Sequence, residues 1–337
     1  MIQLNSKRVL LITPYFFGYE SEISAELKRR GALVDILPDR PFTSPFLKAV
    51  TRFRRELILG MADHYFLNAI EKFGQTRYDY ILVIQGEAIS TNLLTKLRGS
   101  FPSAVFILYM WDSFKNKKSL IPNMKHFDKC ITFDPHDANH YDLKFRPLFF
   151  SPGFQLDISP KVAPVYDISF IGTAHSDRYK IVSKISDGLP LLTQHYWYLF
   201  LQAPWVFWLR KVGDSNFKGA KKNEFNFNAL AKSEVQNIFF KSTSILDIEH
   251  PAQTGLTMRT FETLGASKKL ITTNKKIRDY DFFNAKNIMV IDRSKPIQIP
   301  KSFFDTPYVP PSKELYASYS IAHWLEEVLG LKPFESS

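Results

Sequence analysis

Residues 8–14 read RVLLITP, an unbroken apolar run that a proline closes. A run without polar alternation is typical of a strand buried on both faces, as the strands of parallel sheets are. A helix is expected at residues 20–30, because Ile23 and Leu27 lie one helical turn apart between charged side chains and Gly31 follows. The chain therefore begins with a buried strand and an amphipathic helix that covers it.

This alternation continues along most of the chain. Further strands are predicted at residues 32–37, 80–85, 104–109, 129–133, 167–172, 244–248, 269–273 and 288–291. Helical patterns separate many of them, and a proline-containing lapse at residues 151–166 predicts a linker. Strands separated by helices imply parallel sheets with helices on both faces. We therefore predict an α/β fold of two doubly wound, Rossmann-like domains, with a terminal helix at residues 315–329.

The composition is that of a folded, basic protein. Of 337 residues 45% are hydrophobic, and 44 Lys and Arg against 33 Asp and Glu give a net charge of +11. This charge is spread out, which favours anionic partners such as phosphates, nucleotides, nucleic acid or acidic lipid headgroups. The single cysteine, Cys130, excludes an internal disulfide and a cysteine-based zinc site. Because the N-terminus also lacks a signal-peptide pattern, we expect the protein in the cytoplasm.

Several common catalytic motifs are missing from the sequence. It contains no GxGxxG, no P-loop GxxxxGK[ST], no GxSxG elbow and no HExxH. Asp279 and Asp281 have a D-x-D spacing that binds metal-diphosphate in some enzymes, but two acids at this spacing are common by chance. Asp247, Glu249 and His250 could cluster on a metal, although strand alternation leaves no further ligand in view. We therefore expect neither a metal nor another cofactor.

The most informative stretch is DIEHPAQTGLTMRTFETLGA, at residues 247–266. A strand ends within it, a polar loop follows, and a helix begins near Thr257, whose N-terminus is suited to an anion. Thr254 and Thr257 add hydroxyl donors, and Arg259 adds a guanidinium that matches phosphate. Glu262, three residues further, can face the same cleft and accept hydrogen bonds from ribose hydroxyls. The alternative is a surface helix with an Arg–Glu pair and a capping threonine.

Within this stretch, GLTMRTFETL at residues 255–264, followed by KKLITTN at 268–274, resembles the C-terminal nucleotide-sugar signature of GT-B glycosyltransferases. The closer resemblance is to the CgeB-like group of bacterial capsule, lipopolysaccharide and spore-coat loci. It implies that Glu262 holds the donor ribose and that residues 255–259 hold the diphosphate. It also implies the GT-B fold, in which two Rossmann-like domains face each other across a cleft.

The resemblance extends to SFIGTAHSDR, at residues 169–178, which looks like the first strand and loop of the C-terminal domain in that group. Gly172 lets the backbone approach a phosphate, and Arg178 can neutralise it. The alternative is a simple turn with a solvated arginine. YMWDS at 109–113 and FDPHD at 133–137 also fall where that group has strand-end motifs. The predicted donor-binding residues are Gly172, Thr173, Arg178, His250, Thr254, Gly255, Leu256, Thr257, Arg259 and Glu262.

Glycosyl transfer needs positive charge at the leaving diphosphate and, if the configuration inverts, a base for the acceptor hydroxyl. Ligands of open α/β sheets bind beyond the carboxyl ends of the strands, so acids at those ends are candidates. Asp112 is the first, because Trp111 beside it offers an apolar wall that raises the pKa of a carboxyl group. Glu87 and Glu20 are close rivals, and each of the three has capping of the following helix as its alternative role. A retaining enzyme requires no such base.

The predicted domains are an N-terminal acceptor-side domain at residues 1–155, a C-terminal nucleotide-sugar-binding domain at 156–310, and a helix at 311–337 that crosses back to the first domain. The predicted function is metal-independent transfer of a sugar from a nucleotide-sugar donor to a bacterial surface polysaccharide or lipid-linked acceptor. The alternative is a non-catalytic nucleotide- or glycan-binding protein on the same scaffold. No nucleic-acid partner is expected, because no RRM, helix-turn-helix or zinc-finger spacing is present.

The aromatic, basic segment at residues 195–222 allows two interpretations. One is a peripheral contact with the inner face of the cell membrane, near a lipid-linked acceptor. The other is a helix hairpin packed in the C-terminal domain. Its most apolar part, residues 196–209, is too short to span a bilayer, and Pro204 interrupts it.

Overall fold

The computed structural model describes residues 2–42, 55–75, 77–155, 163–251 and 253–334, so the predicted linker lies partly outside the described residues. The chain divides into two compact units. One consists of Met1–Leu148 with Ile321–Ser337, and the other of Phe149–Ser320. The division falls before the predicted boundary at residue 155, and residues 311–320 belong to the second unit.

The elements follow one another in the alternation that the sequence predicts. The strands are β1 (Arg8–Thr13), β2 (Leu33–Pro38), β3 (Tyr80–Ile84), β4 (Val105–Met110), β5 (Lys129–Thr132), β6 (Lys144–Phe145), β7 (Tyr166–Thr173), β8 (His195–Phe200), β9 (Phe225–Asn226), β10 (Ser242–Asp247), β11 (Lys269–Thr272) and β12 (Ile288–Val290). The helices are α1 (Tyr19–Arg29), α2 (Leu59–Lys72), α3 (Thr91–Ser100), α4 (Pro135–Tyr141), α5 (Arg178–Asp187), α6 (Pro204–Gly213), α7 (Lys232–Phe240), α8 (Met258–Gly265), α9 (Lys301–Asp305), α10 (Lys313–Ser318) and α11 (Ile321–Leu329).

The first unit contains a parallel sheet with the strand order β2-β1-β3-β4-β5-β6. Its strand β1 is covered on both faces, and Val9, Leu10, Leu11 and Ile12 are fully buried, as the apolar run predicts. The chain moves from β1 to β2 on one side and then returns to β3 on the other. The strand order therefore reverses between β1 and β3, and the loops after these two strands border a crevice.

The second unit contains a parallel sheet with the order β12-β11-β10-β7-β8-β9. Counted from β7 as the first strand, this is the 3-2-1-4-5-6 order of dinucleotide-binding domains, written in reverse. The direction of winding reverses between β7 and β10. Ligands of such sheets bind beyond the carboxyl ends of the strands at this reversal, so we expect a ligand site at the loops that follow β7 and β10.

The predicted terminal helix at residues 315–329 is wrong as a single element. Helix α10 ends at Ser318 and α11 begins at Ile321. The break has a physical reason, because Tyr319 is buried against the rings of Phe261 and Phe282, and its hydroxyl donates to Asp281 Oδ1 at 2.6 Å. A continuous helix would not leave this side chain in that position.

Helix α11 belongs to the first unit and packs into its core. Trp324 is fully buried, with its ring centroid 4.9 Å from that of Tyr109 on β4. Arg30, at the end of α1, is also fully buried and donates to Glu326 Oε1 at 2.9 Å and to the Ala322 carbonyl at 2.7 Å. Apolar packing and a buried ion pair thus both hold α11 to the first unit.

The helix-hairpin interpretation of residues 195–222 is also wrong. The segment begins with β8, which pairs with β7 along its whole length, and only then forms α6. The strand sequence HYWYLF has no polar alternation and is rich in aromatic residues, so its sequence pattern does not separate a strand from a helix. None of the helices among the described residues has the length and apolar character needed to cross a membrane.

Candidate functional site

All ten predicted donor-site residues lie in the second unit, on β7, β10 or the segments that follow them. Arg178, the first residue of α5, connects the two loops. Its Nε donates to the Ile248 carbonyl after β10 at 2.8 Å, and its Nη1 donates to the Thr173 carbonyl at the end of β7 at 3.2 Å. Burial lowers the pKa of Arg178 to about 10, so the guanidinium is still charged at neutral pH.

Gly172, near the end of β7, makes room for this arginine. A Cβ atom there would lie 2.9 Å from Cζ of Phe170 and 3.3 Å from Nη1 of Arg178. The glycine therefore has a packing reason in addition to the predicted approach of a phosphate. Thr173, the last residue of β7, is half-buried, and its carbonyl also accepts from the backbone N–H of His175 at 2.9 Å.

The start of α8 is held by a buried carboxylate that ends β10. Oδ2 of Asp247 accepts from the hydroxyl of Thr257 at 2.7 Å and from that of Thr260 at 2.8 Å. The Thr257 hydroxyl, which we predicted to face a phosphate, thus donates its hydrogen bond to Asp247. A carboxylate that accepts two hydroxyls fixes the direction in which the N-terminus of α8 points.

Arg259 reaches from the first turn of α8 to β7. Its Nη2 donates to the Ile171 carbonyl at 3.0 Å, and its guanidinium lies 5.0 Å from the centre of the Phe239 ring. Nη1 is buried without a hydrogen-bond partner among the described residues and lies 4.0 Å from Oε2 of Glu262. Glu262 is itself buried, so α8 carries the predicted Arg–Glu pair with one donor atom still available.

The loop between β10 and α8 is fixed by a residue from the second part of the predicted signature. Nδ2 of Asn274 lies 3.2 Å from the Thr254 carbonyl and 3.4 Å from the Gly255 carbonyl. Leu256 and Gly255 are buried, which anchors the middle of the loop. The two stretches that resemble one signature in sequence are therefore in contact in the structure.

Arg293, in the loop after β12, was missed from the sequence. Its Nη1 donates to both carboxylate oxygens of Asp177 at 2.7 and 2.8 Å, and its Nη2 lies 2.6 Å from Oε1 of Glu249. Glu249 also accepts from the hydroxyl of Thr273. Burial raises the pKa of Glu249, and the hydrogen bonds from Thr273 and Arg293 oppose that rise.

Two histidines border the same loops. The rings of His175 and His250 lie 6.0 Å apart, centre to centre. Burial, together with Arg178 and His250, lowers the pKa of His175 to about 3, so its imidazole is neutral at physiological pH. His250, one of the predicted donor-binding residues, is exposed.

The switch point also holds four carboxylates, those of Asp177, Asp247, Glu249 and Glu262. Arg293 is paired with two of them, whereas Arg178 and Arg259 donate to backbone carbonyls and are the guanidinium groups that suit a phosphate-bearing ligand.

The three predicted catalytic acids lie in the first unit, after β1, β3 and β4, which are neighbours in its sheet. Glu87 is buried and forms an ion pair with Lys117 at 2.9 Å. It follows a tight turn in which Gln85 and Gly86 have positive φ angles of 64° and 73°. Asp39, which sequence reasoning missed, accepts from the backbone N–H of Glu87 at 3.3 Å, and burial raises its pKa to about 6.

Asp112 and Glu20 have different surroundings. Oδ1 of Asp112 accepts from the backbone N–H of Ser113 and from Nδ2 of Asn116, both at 2.9 Å. The helix that follows begins only at Lys118 and has no side-chain cap, so the capping alternative is wrong for Asp112. Trp111 packs its ring against those of Phe16 and Tyr19, each 5.5 Å away.

Glu20 lies in the first turn of α1. Its Oε1 is 3.3 Å from the hydroxyl of Ser21, while its Oε2 is buried without a hydrogen-bond partner among the described residues. In the FDPHD stretch, Asp134 caps α4 by accepting from the backbone N–H of His136 at 2.9 Å, and Pro135 is the first residue of that helix. That stretch therefore has a local structural role.

In the part of the chain that the structure describes, no three His, Cys, Asp or Glu side chains converge as a metal site would require. Asp281 of the D-x-D pair accepts from Tyr319, and Asp279 lies 3.4 Å from Lys276. The two acids therefore have separate local partners.

No protein-family model matches the chain, and no curated protein matches it in sequence. Among solved structures it is similar to Anabaena Alr3699/HepE in complex with UDP and glucose, with a TM-score of 0.56 at 9% identity over 97% of this chain and 99% of that one. The chain has the GT-B fold. A second similar structure is a chain of the GtfA/B complex, with a TM-score of 0.44 at 12% identity. The match covers 82% of this chain and 59% of the GtfA/B chain. The prediction of two doubly wound, Rossmann-like domains is confirmed, whereas the closer resemblance to the CgeB-like group stays a prediction.

Proposed function

We propose that the protein is a glycosyltransferase that uses a nucleotide-sugar donor. One observation carries this proposal: Arg178 and Arg259, which both donate to backbone carbonyls of β7, lie together at the β7/β10 switch point of a Rossmann-like unit. The fold supports it, because the chain aligns over almost its whole length with a protein that was crystallised with UDP and glucose. Neither observation depends on the sequence resemblance, so they are independent support.

In the proposed site, the donor diphosphate contacts the loops after β7 and β10 and the N-terminus of α8. Arg178, with a charged guanidinium, and Arg259, with an available Nη1 donor, stabilise the negative charge that develops on the leaving diphosphate. Glu262 accepts hydrogen bonds from the donor ribose. Because the arginines and the helix N-terminus supply the positive charge, the proposed reaction needs no metal.

The proposed acceptor is a bacterial surface polysaccharide or a lipid-linked precursor, and the proposed location is the cytoplasm, at the inner face of the cell membrane. If the reaction inverts configuration, a carboxylate of the first unit removes the acceptor proton. Of the three we favour Glu20, because one of its oxygens has no hydrogen-bond partner among the described residues. Glu87 is held by Lys117, and Asp112 accepts two hydrogen bonds within its own loop.

The test is a thermal-shift screen of the purified protein with UDP, GDP, CMP, dTDP and ADP, each with and without EDTA. We expect one nucleotide to raise the unfolding midpoint in a saturable way that EDTA does not change. By calorimetry, Glu262→Gln and Arg259→Ala should each weaken that nucleotide at least about tenfold, as loss of a charge-assisted hydrogen bond does. The matched control is Glu314→Gln, because Glu314 is exposed on α10. Unchanged affinity in both site variants would refute the donor-site assignment.

A non-catalytic nucleotide- or glycan-binding protein is the second candidate, and the bonds that hold Glu87 and Asp112 favour it. The two candidates differ in turnover. The transferase should release nucleoside diphosphate from its nucleotide sugar when acceptor is present, and Glu20→Gln should slow that release about a hundredfold or more. If the chain is instead a binding protein, the triple variant E20Q/E87Q/D112N should bind its ligand with unchanged affinity. Neither the native protein nor the triple variant should then release nucleoside diphosphate.

A further inference from the structure

Helix α6 turns an apolar stripe toward solvent. Its four large apolar residues at the i, i+3, i+4 and i+7 positions are 55% to 90% exposed, and they are Trp205, Trp208, Leu209 and Val212. This spacing puts them on one side of the helix, in the pattern that amphipathic helices normally use for the core. We call these four residues the outer stripe of α6.

The opposite side of α6 already provides its contact with the second unit. Phe207 is fully buried, and its ring lies 5.3 Å from that of Phe225 on β9. Arg210 lies over the Phe217 ring at 5.7 Å and forms an ion pair with Asp214 at 3.2 Å. The outer stripe is therefore a second apolar face, which the packing of the unit does not require.

The sequence of α6 and of the segment that follows it is basic. Helix α6 contains no acidic residue. Lys211 is exposed next to the stripe, with its Nζ 5.7 Å from the centre of the Trp208 ring. The segment that follows adds three exposed lysines, Lys218, Lys221 and Lys222. Its two acids have partners: Asp214 pairs with Arg210, and Glu224 accepts from the Tyr179 hydroxyl and from the backbone N–H of Lys221.

The size and chemistry of the outer stripe distinguish between possible occupants. Trp205 and Trp208 are more than half exposed, and with Leu209 and Val212 they offer on the order of 500 Å² of accessible apolar surface. This is less than the roughly 800 Å² per partner of a stable protein interface. Tryptophan and lysine side by side are instead typical of a surface that rests at the headgroup level of a bilayer.

We propose that the outer stripe of α6 docks this protein on the surface of an anionic lipid membrane. The two indoles enter the headgroup region, and the four lysines lie close to lipid phosphates, each with a modest electrostatic contribution. This inference does not rest on the proposed transferase activity, because it concerns a different surface and needs no nucleotide.

The docking surface and the switch point are close to one another within the second unit. Arg210, on the inner side of α6, is near enough to His175 to contribute to the lowered pKa of that histidine. A membrane contact through α6 therefore holds the β7 loop next to the bilayer. A site in that position suits an acceptor or product that stays in the membrane.

The experiment is co-sedimentation of the full chain with vesicles of phosphatidylcholine alone and of phosphatidylcholine with phosphatidylglycerol in equal parts. We expect binding to the anionic vesicles that weakens as salt is raised, with a blue shift of tryptophan emission. The variant W205S/L209S should bind at least about tenfold more weakly, since it removes two large apolar side chains from the contact. The variant K211Q/K218Q should lose most of the preference for anionic lipid.

The matched control is V165S/L191S, which removes two other exposed apolar side chains of the same unit. It should bind like the native protein, and matching thermal midpoints establish that all variants are folded. Equal binding to both vesicle types, or equal binding by W205S/L209S and the native protein, would overturn the proposal. So would a native dimer in sedimentation velocity that W205S/L209S loses, because the stripe would then join two copies of the chain.

Discussion

Arg293 and Asp177 lie 116 residues apart in the chain, yet Nη1 of the arginine donates to both oxygens of the aspartate at 2.7 and 2.8 Å. Nη2 of the same arginine lies 2.6 Å from Oε1 of Glu249. Asp177 follows β7, Glu249 follows β10 and Arg293 follows β12. One side chain thus ties together the loops that border the switch point of the second unit.

Replacing Arg293 should destabilise the protein. Arg293→Met leaves Asp177 and the buried Glu249 without their shared cation, so we expect the free energy of unfolding to fall by about 2 kcal/mol. Guanidinium unfolding measures this change. Lys276→Met is the control, because Lys276 and Asp279 form an exposed pair that should contribute at most about 0.5 kcal/mol. Equal effects of the two substitutions would mean that the ion pairs of Arg293 with Asp177 and Glu249 do not hold the loops together.

Gly172 gives a second prediction, on packing. Gly172→Ala puts a methyl group 2.9 Å from the Phe170 ring and 3.3 Å from Arg178, so we expect a loss of about 1–3 kcal/mol and weaker nucleotide binding. Gly99→Ala is the matched control, because an added Cβ in this exposed turn of α3 meets no atom within 4 Å. That substitution should instead stabilise the protein by about 0.5–1 kcal/mol. Thermal unfolding of both variants checks the contrast in sign.

Asp39 predicts a pH dependence of stability. Its pKa is about 6 in the folded protein against 3.8 for the ordinary group, because the side chain is buried. The folded state then binds more protons between these values, so stability falls as the pH rises from about 4 to about 6. Asp39→Asn removes the buried charge and should stabilise the protein at pH 7 by up to about 3 kcal/mol, at about 1.4 kcal/mol per pKa unit. Unfolding at pH 4 and pH 7 measures the difference, which should nearly vanish at pH 4.

Much of the fold could be predicted from local patterns. The RVLLITP run identifies β1 because a central parallel strand is apolar on both faces, and all four of its middle residues are fully buried. Strand β8 was missed because its aromatic sequence shows no periodic alternation of polar and apolar residues. The break at Tyr319 was missed because it depends on Phe261 and Phe282, which are distant in sequence.

The candidate site shows the same division. The loop before α8 and its Thr, Arg and Glu residues are contiguous in sequence, so chemistry, spacing and the family resemblance together could identify them as candidates. Arg293 and Asp39 could not be found in that way, because each acts through residues brought close only by the sheet order. The hydrogen bond from the Thr257 hydroxyl to Asp247 could not be predicted from the sequence either, because Asp247 lies on a different element.

Glu326 on α11 stabilises the first unit in the opposite pH range. Burial alone raises its pKa, but hydrogen bonds from the Ile2 N–H, Lys332 and Arg30 lower it to about 2. A lowered carboxyl pKa gives stability that is complete above the ordinary value of 4.5 and is lost as the pH falls toward 2.

Glu326→Gln leaves the fully buried Arg30 with Glu26 as its remaining carboxylate partner, so we expect a loss of about 3 kcal/mol at pH 7 and a smaller loss at pH 3. Urea unfolding at the two pH values measures both losses, with Glu314→Gln as the exposed control. A loss that stays the same at both pH values would show that Glu326 acts by packing alone, since only the ionised carboxylate can attract Arg30 and Lys332.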